Sequence, residues 1–289
     1  MGINEFVIAN EKLIRMGFFF GMLILMAFWE IFAPRRALTV SKAVRWVNNI
    51  GLMVFNTVLL RLLFPAAAVG MAAFSASQGW GLLSHFEVDA WLAVPVAVVL
   101  MDSVIWLQHV MVHAVPAFWR LHRVHHAEPD YDLTTGARFH PVEIILSMLI
   151  KFATSMVLGP PVVAVNLFEM VLNGMAMFNH ANVRLPATLD RMLRWVVVTP
   201  DMHRVHHSVE DDEANSNFGF NLSWWDRLFG TYRDQPRGGH EGMVIGIRGY
   251  RQLRDVTWLP GLLALPFRGR ITGYAINRRH WTTGEDGGE

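Results

Sequence analysis

Apolar residues run unbroken from Met16 to Trp29, continue past Glu30 to Ala33 and stop at Pro34. With Leu13 and Ile14 ahead of it and Arg15 snorkelling at its edge, this run predicts a retained bilayer-crossing helix. No small-residue cleavage site follows it, so it does not read as a signal peptide. A second span is predicted over Gly51 to Phe74, with Pro65 as a candidate kink. Arg61 interrupts it, either as a snorkelling side chain or as a buried counter-charge. A third span covers Ala90 to Leu107 and runs straight into His109. The longest apolar stretch, Ile144 to Phe178, carries Gly159-Pro160-Pro161 at its centre. As one straight helix it would measure roughly 52 Å at the helical rise per residue, too long for one crossing. A helical hairpin with two arms of roughly 25 Å fits better and returns the chain to the side it left. Lys151, Asn166, Glu169 and Asn173 suggest that one hairpin face looks at protein. Trp258 to Phe267 is too short to span, is broken by Pro260 and Pro266, and reads as interfacial. His280 reads as a surface histidine, and the tail after Thr282 as disordered.

Composition sharpens this pattern. Of the 289 residues 53% are hydrophobic and only 17% charged, and eleven Trp and nineteen Phe add to the apolar load; soluble domains carry roughly a quarter charged residues. The expected fold class is all-α: an integral-membrane helical bundle of about four hydrophobic spans or hairpins with a cytoplasmic histidine-rich helical cap. Arg35, Arg36, Lys42 and Arg45 after the first span place that loop in the cytoplasm by the positive-inside rule. The loop from Ser75 to Asp89 has no Lys or Arg, as the opposite side should, and His85 there reads as interfacial. Net charge is +1, which gives no reason to expect a nucleic-acid partner. There is no cysteine, so disulfides, iron–sulfur clusters and thiolate zinc sites are excluded. Any metal must be held by nitrogen and oxygen.

The candidate chemistry lies at the ends of the spans. His122-Arg123-Val124-His125-His126 recurs letter for letter as His203-Arg204-Val205-His206-His207, and His109 and His113 precede the first copy. Helical residues at i, i+3 and i+4 share a face, so each pentapeptide aims three imidazoles one way and His109/His113 add two more. Neutral imidazole is the commonest metal ligand, and eight converging rings are too many for one tetrahedral ion, which suggests two. The hairpin brings the chain back to the same side, so both boxes can meet. His140, at the start of the hairpin, is either a further ligand, an outer group or a helix-start histidine. His180, after the hairpin and before the last box, is a further candidate ligand. Asp102, seven residues before His109, is either a carboxylate orienting a ligand histidine or a polar group satisfied in a packing seam. Asp201 reads as a cap of the last box helix, and Asn217 as a candidate donor near the metals. Glu210 to Glu213 is a solvated loop or a docking surface for a basic electron donor. His240 has no companion and reads as a surface histidine.

His109-x3-His113, His122-x2-His125-His126 and His203-x2-His206-His207 resemble the three histidine boxes of the fatty acid hydroxylase/sterol desaturase superfamily. Arg138-Phe139-His140-Pro141-Val142-Glu143, Asn217-Phe218-Gly219 and Trp225-Asp226-Arg227-Leu228-Phe229-Gly230-Thr231 are similar to its further signatures. The resemblance covers roughly residues 95–234. It implies a catalytic domain over 95–234, which with the apolar pattern divides the chain into N-terminal transmembrane helices over 1–94, that domain, and a C-terminal interfacial segment and tail over 235–289. It implies an integral-membrane, non-haem di-iron oxidoreductase that uses O2 to hydroxylate or desaturate a lipid such as a sterol, fatty acyl chain or ether lipid. The eight box histidines are then metal ligands, with His140 and His180 matching positions that complete a set of ten. No cytochrome domain is fused, so electrons come from a separate electron-transfer protein or reductant. Because imidazole suits zinc as well as iron, a non-enzymatic membrane zinc or haem protein is the competing reading.

Overall fold

The computed structural model describes residues 9–269, so His280 and the tail after Thr282 lie outside the described residues. Five helices in it are long and apolar enough to cross a membrane. Helix α1 is Glu11–Phe32, α2 is Lys42–Leu63 and α3 is Ala67–Ser77. Then come α4, Ala90–Ala114, and α5, Pro116–His126. The hairpin arms are α6, Pro141–Leu158, and α7, Val162–Asn179; α8 is Pro200–His206. Among the described residues no β-strand forms, only isolated bridges such as Pro34 with Val183 and Val197 with Leu222.

The long helices turn apolar side chains outward. In α1, Leu13, Phe20, Leu25 and Phe28 are exposed, and the buried residues are Met26 and Glu30. A soluble helix hides its apolar stripe; a helix dissolved in lipid shows it. Helix α2 goes further, because its buried face is Arg45, Asn48, Asn49, Leu52 and Asn56, a helically spaced and mostly polar stripe. This explains why hydropathy alone starts the second span at Gly51, whereas the helix starts at Lys42. It ends at Leu63, and Pro65 lies in the break before α3. Arg61 is exposed, so it serves as no buried counter-charge.

The hairpin forms where Gly159-Pro160-Pro161 predicts it. Gly159 caps α6 in the left-handed conformation, φ 61°, which a Cβ disfavours. It also packs backbone to backbone against the loop after α3: a Cβ on Gly159 would lie 2.3 Å from the Trp80 carbonyl oxygen. Between α3, α4, α6 and α7 lies an apolar core that includes Ala72, Met101, Ile105, Met148, Val165 and Phe168. A second core joins Val124 and Ala127 of the first box to Leu52, Val256, Leu262 and Leu265. The segment expected at the interface is therefore partly structural: Leu262 and Leu265 are fully buried, while Trp258 and Phe267 remain exposed.

Candidate metal centre

Both pentapeptides end short helices that begin with proline at the first turn, Pro116 for α5 and Pro200 for α8. Proline is pre-set for that position because its missing N–H has no intrahelical partner to lose. Within each pentapeptide the residues divide their work. Val124 and Val205 are fully buried. Arg123 bonds to the carbonyls of Leu265 and Arg268. Arg204 bonds to Asp201 and to the Ala181 carbonyl and lies over the Tyr131 ring. With Arg and Val anchored, the three histidines of each box point together.

They meet in two adjacent clusters. One holds His109, His113, His122, His126 and His206; the other holds His125, His180, His203 and His207, with the ligand atoms of each cluster within 4.8 Å of one another. All nine side chains are buried. The two copies are interleaved, since His125 leaves its own box to join the second cluster and His206 leaves its box to join the first.

The outer nitrogens fix which way the lone pairs face. Nδ1 of His109 donates to the Phe218 carbonyl at 2.8 Å, that of His206 to the Ser216 carbonyl at 2.7 Å and that of His180 to the Ala176 carbonyl at 2.8 Å. His122 Nδ1 meets Glu143 Oε1 at 2.6 Å. Each ring thus keeps its proton outside and turns a bare Nε2 inward. Nε2 of His109, His122 and His206 is buried with no hydrogen-bond partner. His180 Nε2 lies 3.2 Å from Nε2 of both His125 and His203. Unpartnered buried acceptors in contact are costly unless a cation sits among them, so the donor set fits a metal.

Burial sets the charge of these rings. It is the first cause, and the neighbouring histidines a further one, of a pKa far below the ordinary imidazole value at His125, His126, His203 and His207. Burial brings His180 and His206 down to about 3. The imidazoles are therefore neutral near pH 7, the form that binds metal.

His140 does not join either cluster. It caps α6 instead, with Nδ1 accepting from the Val142 N–H at 3.2 Å and Nε2 facing the Leu263 carbonyl. Asp102 accepts from Trp225 Nε1 at 2.8 Å and from the Leu222 N–H at 3.2 Å, so it sits in a packing seam and touches no histidine. Asn217 adopts φ 52°. Its carboxamide is spent on the Met202 carbonyl and on both backbone groups of Arg233, and it turns the chain so that the flanking Ser216 and Phe218 carbonyls reach His206 and His109. The cap of α8 is Thr199, whose hydroxyl accepts from the Met202 N–H. Asp201 instead pairs with Arg204 and Arg35. His240, read as a surface residue, is buried and lies 3.7 Å from Asp201. Burial lowers its pKa to about 4.

Three carboxylates of structural weight carry no local signature of their own. Glu143 and Asp226 stand in the sequence only as members of family-like strings. Asp226 accepts from Trp106 Nε1, the Phe218 and Gly219 N–H groups and the Thr231 hydroxyl, which fixes the carbonyl that holds His109. Glu128, two residues past the first box, is fully buried with Arg45 at 2.6 Å and Asn49 at 3.1 Å.

An all-helical bundle with lipid-facing helices around a buried polyhistidine centre is a membrane protein of the metal-binding kind. Residues 94–231 match the family model "Fatty acid hydroxylase", in keeping with the resemblance of the histidine boxes to the wider superfamily. The chain is 29% identical to the ornithine lipid hydroxylase OlsE of Rhizobium tropici, over 64% of this chain and 56% of that protein. It is 32% identical to alkylglycerol monooxygenase of Xenopus tropicalis over 43% of this chain and 27% of that protein. The human alkylglycerol monooxygenase is 29% identical over 48% of this chain and 29% of its own length. The chain thus spans between about a quarter and just over half of these relatives. No solved structure matches it.

Proposed function

We propose that the chain is a membrane-bound, O2-dependent lipid hydroxylase whose nine clustered histidines hold two iron ions. The carrying observation is the pair of adjacent all-histidine clusters with inward lone pairs, inside the segment that matches the fatty acid hydroxylase model. Iron bound there supplies an oxidant strong enough for an unactivated C–H bond, which no side chain can. The balanced reaction inserts one oxygen atom into a C–H bond and reduces the other to water, with two electrons from a separate donor and two protons. The substrate is a lipid, in keeping with the names ornithine lipid hydroxylase and alkylglycerol monooxygenase of its relatives.

The aromatic residues around the histidines support a route from the bilayer. The Phe220 ring lies 6.3 Å from His180 and 6.4 Å from His203, and it also packs on the apolar core between α3, α4, α6 and α7. Phe139 stacks on His125 at 4.6 Å. Phe220 thus joins the histidines to the apolar, lipid-embedded part of the bundle, the side from which a lipid chain would approach. Arg35 and Arg36 lie in the loop after α1 and Lys42 opens α2; the positive-inside rule supports a cytoplasmic face for that loop, and the bond from the Arg35 N–H to the Asn182 carbonyl, two residues past His180, extends that reading to the histidines.

The test is lipid mass spectrometry of cells expressing the chain or its His206→Ala variant, alongside metal analysis of both proteins. The expected result is a lipid species heavier by one oxygen with the unaltered chain and absent with the variant. Identical lipid profiles, or purified protein loaded only with zinc, would overturn the reading.

A further inference from the structure

A cavity of about 790 Å³ opens where α1 ends and the chain turns into α2. It lies on the same side of the bundle as the histidines, because Arg35 N–H donates to the Asn182 carbonyl two residues past His180. Three cations, Arg35, Arg36 and Lys42, and two carboxylates, Glu30 and Glu241, line it. The carboxylates are already engaged. Glu30 takes Lys42 at 3.1 Å as well as the N–H groups of Leu133 and Asn182, and Glu241 is shared by Arg35 and Arg184. Arg35 has Asp201 as a second partner. Arg36 is the exception: its guanidinium bonds only to the carbonyls of His240 and Met243, through Nη1. One positive charge of the cavity therefore has no carboxylate at ion-pair distance among the described residues, its electrostatic support coming from Asp130. Burial, then repulsion from Arg204, disfavours that charge; attraction to Asp130 offsets part of this and repulsion from Arg35 adds to it, with the balance still against the charge, so an anion placed there relieves a cost rather than adding one.

The rest of the wall says what kind of anion. Ile31, Pro34 and Leu38 also line the cavity. Ile31 and Phe32, the last residues of the apolar helix α1, are exposed, so the cavity mouth stands at the end of a lipid-facing surface. A charged floor beside an apolar rim at that level matches a lipid headgroup with its chains continuing along α1. We propose that this elbow cavity is a binding site for a phosphate-bearing anion, a phospholipid headgroup in the membrane, with Arg36 as its anchoring cation. The site stands on the cavity and its charge pattern alone, and does not depend on the reading of the metal centre. Its position gives it a line to that centre, since Arg35 and Arg204 share Asp201 and Arg204 lies between two clustered histidines.

The experiment uses the full chain purified in a neutral detergent. Native mass spectrometry follows retention of short-chain phosphatidylglycerol against phosphatidylcholine, and a parallel arm titrates inorganic phosphate with thermal unfolding as readout. Arg36→Gln is compared with the unaltered chain and with Arg36→Lys, which keeps the charge. Metal content and helix content report that each variant is folded. The expected result is preferential retention of phosphatidylglycerol, weakened at least about tenfold by Arg36→Gln, as the loss of a charged hydrogen bond implies, and largely restored by Arg36→Lys. Stabilisation by inorganic phosphate alone, lost in the same variant, assigns the site to a free anion and supports the phosphate chemistry. No preference over phosphatidylcholine together with no phosphate effect overturns the proposal, as does anion binding that survives Arg36→Gln in folded protein. Loss of lipid oxidation bears on the metal centre and leaves this outcome untouched.

Discussion

Among the nine clustered histidines His122 stands apart, because its outer nitrogen meets a carboxylate, Glu143, at 2.6 Å, whereas His109, His180 and His206 meet neutral backbone carbonyls. A carboxylate partner makes an imidazole more basic and fixes its ring. Glu143→Ala removes that charge and is expected to weaken metal affinity in the five-histidine cluster by about 10- to 100-fold. Glu143→Gln keeps an acceptor at the same place and is expected to recover most of the orientation. Chelator competition with metal counted per protein checks both, and equal affinities in all three proteins would refute a positioning role. At this scale the sequence was legible where spacing carries the information. His180, far from any box in the chain, was found through topology. His140 was not separable by spacing, since a histidine at a helix start and a histidine ligand look alike until the cap hydrogen bond to Val142 is seen. Asp226 stands in a family-like string, but its role is not legible there because its four donors come from residues before, after and far from it.

The helices were legible to different degrees for a physical reason. Helix α1 and the hairpin show lipid-facing side chains along their length, and hydropathy finds them. Helix α2 starts with polar residues that face inward, so hydropathy finds only its second half. Its buried face is held by ions: Arg45 meets Glu128 at 2.6 Å and Asp132 at 2.8 Å, with Arg138 3.7 Å from Glu128. All four side chains are fully buried there. Two arginines beside Glu128 outweigh its burial and hold its carboxyl below the usual range. Glu128→Ala leaves Arg45 with Asp132 alone and takes from Arg138 the carboxylate it faces, and breaking a buried pair costs about 3–5 kcal/mol. The expected outcome is a loss of that size in detergent-solubilised unfolding, with α2 and the first box detaching together because Glu128 follows the box by two residues. A loss below about 1 kcal/mol would mean that packing of Leu52 against Val124 holds the helix without the ions.

For the whole molecule, the expectation from sequence was two boxes on one side of a bundle, brought together by a hairpin. The structure shows that closure, and adds that the boxes exchange members, which no linear spacing records. The consequence is that the centre couples α4, α5, α7 and α8 into one unit whose stability depends on protons. His180 and His206 have pKa values of about 3 in the folded chain, and His125, His126, His203 and His207 are lowered in the same direction. In the unfolded chain each returns to about 6.5. Between those limits the unfolded chain binds more protons than the folded one, so stability rises with pH in this window. Equivalently, it is full above about 6.5 and is lost as pH falls toward 3. Metal bound to the neutral rings adds stability to the folded state only, and protons must displace it before the rings can charge. Acid unfolding followed by tryptophan fluorescence is therefore expected at a higher pH in metal-stripped protein than in loaded protein, with metal release and unfolding coinciding in the latter. Coincident acid transitions with and without metal would show that these histidines are not what binds it.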